Sequence, residues 1–152
     1  MRYGCCKAIL AAALLSACAS EGTDDALAAR GASPVPDTIV TSVISGNTIY
    51  ARYEPDAASS GEADRWVEYY RPDGRYYYSD PLKSFVGKWS IKGGKVCYFQ
   101  DGATGCGTLY SSGETLYFTL DQPDGSPGKI IGSSTRITEG DAERLVRSAG
   151  KS

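Results

Sequence analysis

The amino-acid sequence predicts a mainly β protein, built as a small antiparallel up-and-down barrel or half-barrel, with a β-sandwich as the alternative fold. Three observations carry this reading. From Thr48 onward, short runs rich in Tyr, Val, Ile, Phe and Trp are each stopped by Gly, Pro, Asn or Asp. Within those runs apolar and polar residues alternate, as in Phe85-Val86-Gly87-Lys88-Trp89-Ser90-Ile91-Lys92. The connectors carry turn chemistry: Pro72-Asp73-Gly74 pre-sets a turn, and Gly93-Gly94 suits a two-residue hairpin in which both residues need positive φ.

The elements follow in chain order. Ile39, Val40, Val43 and Ile44 recur at helical spacing, so Thr38 to Ile44 reads as a short helix, with an extra strand as the alternative. Candidate strands are Thr48 to Tyr53, Arg65 to Arg71, Arg75 to Ser79 and Phe85 to Lys92. Lys95 to Gln100, Gly107 to Ser111, Thr115 to Asp121 and Lys129 to Thr138 follow them. Phe85, Gly87, Trp89 and Ile91 share the face assigned to the core, and Leu116, Phe118 and Leu120 form a matching inward row. Near-consecutive strands of this kind suggest a curled, lipocalin-like meander whose bulky inward residues fill a small interior. Pro55 to Glu62 reads as a polar loop. Asp141 to Arg147 reads as a weak helical turn with an N-cap-like Asp, in a C-terminal tail of residues 141–152.

The start of the chain bears on location. Arg2 and Lys7 precede an apolar stretch, Ala8 to Leu15, closed by the small Ser16 and Ala17, which is the layout of a secretory signal peptide. The stretch is too short for a membrane-crossing helix, which needs ~20 residues. Leu15-Ser16-Ala17-Cys18 resembles the lipobox of bacterial lipoproteins. That resemblance implies cleavage before Cys18, a lipid on its thiol and further acylation, so that the protein reaches the membrane through Cys18. Ala19, rather than Asp, after the cysteine resembles the pattern of lipoproteins sent to an outer membrane, facing the periplasm. The alternative is an ordinary signal peptide cut after Ala19, because Ala17-Cys18-Ala19 also fits the small-x-small rule. The expected organisation is a signal peptide at 1–17, a flexible tether at 18–37, a β-barrel-like domain at 38–140 and the tail. The tether is expected because its Ala, Gly, Ser, Asp, Glu and Pro cannot bury enough surface to offset ordering entropy.

Composition excludes more than it selects. Of the 16 basic residues, Arg2 and Lys7 leave with the signal, so 14 face 18 acidic ones, a net charge of −4 that is too mild to argue for a nucleic-acid partner. The sequence has no histidine, which removes the commonest general base and metal ligand, and it reads as a non-enzyme. Glu68 with Asp80, or Asp101 with Asp121, are the carboxylate pairs left for acid–base chemistry, and the reading places them at turns or on outward faces as ordinary solvated acids. No metal loop and no cofactor motif is present, so no cofactor is expected.

Cys5 and Cys6 leave with the signal and Cys18 takes the lipid, which leaves Cys97 and Cys106 to pair in an oxidising compartment. Trp66, Tyr69, Tyr70 and Tyr76 to Tyr78 crowd the two strands around Pro72-Asp73-Gly74 and make both faces of that hairpin aromatic. Residues 65–100 carry 7 basic and 3 acidic residues, so the hairpin is also locally positive. Trp66, Tyr69, Tyr70, Arg71, Arg75 and Tyr77 are therefore the candidate surface for an envelope protein or glycan. Cross-strand aromatic packing that only stabilises the hairpin is the competing reading.

Ser45-Gly46-Asn47-Thr48-Ile49-Tyr50, Pro72-Asp73-Gly74-Arg75, Gly87-Lys88-Trp89 and the cysteine pair resemble a group of uncharacterised small β-rich envelope proteins of proteobacteria, over residues 38–121. No reaction comes with that resemblance. Outer-membrane lipoproteins that inhibit proteases with small barrels look similar in architecture only. The expected role is a membrane-anchored, non-enzymatic binding module. A carrier of a small apolar ligand inside the barrel, or a protease-inhibitor-like barrel, is the alternative.

Overall fold

Alternating strands joined by tight turns leave each run one neighbour on either side, and the described residues obey this almost throughout. The structure is a computed structural model describing residues 22–55, 57, 64–126 and 128–148. Among these, ten strands form one antiparallel sheet that curls into a half-barrel. They are β1 (Ser33–Pro34), β2 (Asn47–Tyr53), β3 (Arg65–Tyr70), β4 (Arg75–Ser79), β5 (Ser84–Lys92), β6 (Lys95–Gln100), β7 (Ala103–Gly107), β8 (Leu109–Ser112), β9 (Thr115–Thr119) and β10 (Ile130–Glu139). Their order is β1-β8-β9-β10-β2-β3-β4-β5-β6-β7, so β2 to β7 run as an uninterrupted meander. The chain then passes from β7 at one edge directly to β8 beside the other.

Closure is partial. The backbone N–H of Asp121 donates to the carbonyl of Cys106 at 2.8 Å, and Lys95 Nζ reaches Asp121 Oδ2 at 2.5 Å. These bonds bring the end of the β9 arm against β6 and β7. Register irregularities in β10, between Ser134 and Arg136 against β2 and between Ile130 and Gly132 against β9, add the local bending that curling requires.

The helix at Thr38 to Ile44 is present as α2 (Asp37–Ile44). It touches β2 and β6, four places apart in the sheet order, and so lies across the concave side, burying Val40 and Ile44 completely. Gly93 and Gly94 both take positive φ, 54° and 73°, as the hairpin reading required.

The structure corrects several expectations. Ala103–Gly107, of which only Gly107 falls within a candidate strand, forms a strand of its own, because Asp101 and Gly102, both at positive φ, make the tight hairpin before it. Leu120 lies outside β9 and is 43% exposed, so the inward row ends at Phe118. The tether expected at 18–37 is, over its described residues, folded onto the sheet. There α1 (Thr23–Ala29) buries Leu27, β1 pairs with β8, and Val35 joins the core. Two apolar anchors suffice where the β8 edge offers unpaired backbone groups, and a composition average over the window conceals them. The described part of the C-terminal tail is likewise docked: α3 (Leu145–Ser148) buries Leu145 against β4, and Asp141 accepts from the backbone N–H of Leu145 and Val146. Residues 1–17, Cys18 and most of the loop at 55–62 lie outside the described residues. Among the described residues no helix is long and apolar enough to cross a membrane.

Candidate functional site

Strand alternation places Trp66, Glu68 and Tyr70 of β3 on the concave face, opposite Tyr76 and Tyr78 of β4. Trp66 packs on Tyr53 at 4.3 Å between ring centroids and meets Phe118 edge-on at 5.8 Å, linking β2, β3 and β9. Tyr70 meets Trp89 edge-on at 5.7 Å, and Tyr76 meets Phe85 and Tyr98 edge-on at 5.8 and 5.4 Å. Gly87 makes room for this layer: a Cβ there would lie 2.3 Å from the Tyr76 ring and 2.9 Å from the carbonyl of Phe99. The interior is thus tiled with aromatic rings in edge-on, tilted and stacked arrangements, with Tyr78 stacked on Phe85 at 4.5 Å.

The rings do not fill the half-barrel. A pocket of about 240 Å³ lies between the β3–β6 wall and the β9–β10 wall, with Trp66, Tyr76, Phe85, Tyr98 and Phe118 around it and the exposed Leu120 at its rim. Glu68 lines this pocket and is only 8% exposed. Its Oε2 accepts the Tyr70 hydroxyl at 2.7 Å, and that hydroxyl lies 2.8 Å from the Tyr98 hydroxyl. Among the described residues no lysine or arginine forms an ion pair with Glu68.

Burial pushes the Glu68 carboxyl pKa up, and the bonds from Tyr70 and Trp66 oppose that only in part. Burial also raises the Tyr70 and Tyr98 hydroxyls well above the usual phenol value, with the nearby Glu68 charge acting in the same direction. The site is one carboxyl among phenols and rings. Among the described residues no cluster of three His, Cys, Asp or Glu is placed to hold a metal.

The residues singled out in sequence do not form one surface. Tyr70 is fully buried and Trp66 is 5% exposed, both on the concave side. Tyr77 points to the convex side, yet is only 5% exposed, because Leu145 of α3 shares the crevice above it. Tyr69 is half-buried beside it, with ring centroids 6.4 Å apart. Arg71 and Arg75 flank the same acid in the turn, at 3.2 and 2.8 Å from Asp73 Oδ2, and hold its carboxyl pKa below the usual value. The expected interaction surface of Trp66, Tyr69, Tyr70, Arg71, Arg75 and Tyr77 is therefore divided between the interior, a helix-covered crevice and an exposed turn. Both faces of the hairpin are aromatic because both are packed.

The carboxylate pairs are not assembled as acid–base partners. Asp80 anchors a turn, accepting from the backbone N–H of Leu82 and Lys83 and from the Tyr78 hydroxyl, which also bonds Tyr53. Partial burial works against its charge, but those bonds hold its pKa below the usual value. Asp121 is engaged by Lys95, and Asp101 forms the β6–β7 turn. Cys97 and Cys106 do pair: they are directly opposed on β6 and β7, with Cα atoms 4.0 Å apart, and form a disulfide.

Sequence reasoning missed Glu68 as an interior residue. The signal was its place between Trp66 and Tyr70 at a spacing of two, which puts all three on one face. Comparison with protein-family models, with curated proteins and with solved structures finds no match for the chain.

Proposed function

We propose that this chain is a lipid-anchored protein of the bacterial envelope whose half-barrel binds a small ligand in its aromatic interior without transforming it. The single observation that carries the binding role is the 240 Å³ pocket between two aromatic walls with Glu68 at its lining. Ligand sites are concave, mostly apolar and furnished with few convergent polar groups, and this pocket has that composition. It is smaller than the roughly 300 to 1,000 Å³ typical of sites for drug-sized molecules, which favours a compact ligand. A surface role through the β3–β4 hairpin loses support, since its largest rings are packed away from water.

The anchoring role rests on Leu15-Ser16-Ala17-Cys18 and the apolar stretch before it. A lipid at Cys18 would hold the domain at the outer membrane, facing the periplasm. No role in catalysis is assigned, because the pocket offers a single carboxyl with neither histidine nor a cationic partner beside it.

The binding role is tested by NMR titration with a panel of compact probes: benzene, tetramethylammonium and butanol. Shifts centred on Trp66, Tyr76 and Phe118 for at least one probe are the expected result. Absence of binding by every probe, or shifts confined to convex-face residues such as Lys88, would reject it. Cys18→Ser is expected to release the protein from membranes, and persistent membrane association would overturn the anchor.

A further inference from the structure

Glu68 poses an electrostatic problem that the protein alone does not solve. A carboxyl withdrawn from water is costly in its charged form unless it is paired, and here it has hydrogen bonds from Tyr70 and Trp66 but no cation among the described residues. Both bonds are from uncharged donors, and the residue faces an open volume. The walls of that volume are aromatic, and aromatic rings attract a cation where it meets their faces. An anionic ligand would be repelled by the carboxylate. A neutral apolar ligand would fill the space and leave the carboxyl unpaired.

We infer that the pocket takes a small organic ammonium, with its positive head among the rings of Trp66, Tyr76 and Phe85 and its charge compensated by Glu68. This rests on the small-ligand reading above and names its chemistry. Carboxylate and aromatic faces act together on such a head: the rings accept its methyl or methylene surface, which water solvates poorly, and the acid supplies the counter-charge. The pocket volume matches a head group of a few carbons rather than an extended molecule. The Tyr70–Tyr98 hydroxyl pair behind Glu68 fixes the carboxyl in place, so the charge is pre-positioned rather than recruited on binding.

The test compares choline with 3,3-dimethylbutan-1-ol, its uncharged carbon isostere, by calorimetric titration of the mature wild-type domain. Choline is expected to bind at least tenfold more tightly than the isostere. In Glu68→Gln the choline affinity is expected to fall at least tenfold while the isostere is little affected; Glu68→Asp, which keeps the charge, is expected to retain part of the preference. Equal or tighter binding of the isostere would overturn the ammonium inference and leave the ligand-binding role standing. Failure of both compounds, together with the whole probe panel, would overturn both. Because the wild-type comparison needs no substitution, a variant that fails to fold does not decide the matter. Glycerophosphocholine separates the sources of the same group: tighter binding of choline indicates a free solute, and tighter binding of glycerophosphocholine a lipid head group.

Discussion

The Tyr70 hydroxyl lies 2.7 Å from Oε2 of Glu68, two residues earlier on the same strand and on the same concave face. Strand periodicity brings these two side chains together without any long-range fold information. The curl of the sheet then removes both from water and adds Tyr98 at 2.8 Å from the Tyr70 hydroxyl. A polar cluster is thereby set in an otherwise aromatic interior.

The cluster makes stability depend on pH through Glu68. Burial raises its native-state pKa above the ordinary value of 4.5, so the native state keeps the proton to higher pH than the unfolded chain does. The associated stability is fully present below 4.5 and is lost as pH rises from there through the raised native value. Glu68→Gln cannot ionise and lacks this loss. Urea unfolding of both proteins from roughly pH 3.5 to 8 is expected to show wild type losing ground to the variant across that window. A difference independent of pH would contradict the burial.

Tyr70 and Arg75, both read in sequence as parts of one surface, are expected to separate sharply. Tyr70→Ala removes a fully buried ring and the hydrogen bond to Glu68, and is expected to cost about 3 to 5 kcal/mol of unfolding free energy. Arg75→Ala is expected to leave the melting temperature essentially unchanged, since that side chain is exposed at the start of β4. Equal, small effects would restore the surface reading.

These two residues also show what was legible. Alternation and turn chemistry were enough for the half-barrel, because Gly93-Gly94 and the Trp89 row specify hairpin and face locally. Tyr77 was not legible: nothing within its own strand reveals that Leu145, nearly seventy residues later in the chain, covers it. Leu27 and Val35 were hidden for the same reason, since their value comes from a sheet edge formed by distant sequence. Asp101-Gly102 was legible in principle as a hairpin signal, and the glycine-rich, low-hydrophobicity run Ala103 to Gly107 masked the strand after it.

The disulfide between Cys97 and Cys106 joins β6 to the edge strand β7. Replacing both cysteines with alanine is expected to lower unfolding free energy by about 2.5 to 3 kcal/mol, from the short loop that the bond closes. Hydrogen exchange should accelerate first in Ala103–Gly107, whose only ladder partner among the described residues is β6. Unchanged protection there, with unchanged stability, would show that the bond is dispensable to the edge.

The most direct measurement is a carboxyl-carbon NMR titration of Glu68 in the ligand-free protein. A midpoint above 4.5 is the predicted result, and a further bound choline is expected to draw that midpoint downward by favouring the charged form. A midpoint at or below 4.5, unmoved by choline, would mean that Glu68 is a solvated acid and that the aromatic interior does not use it to hold an ammonium.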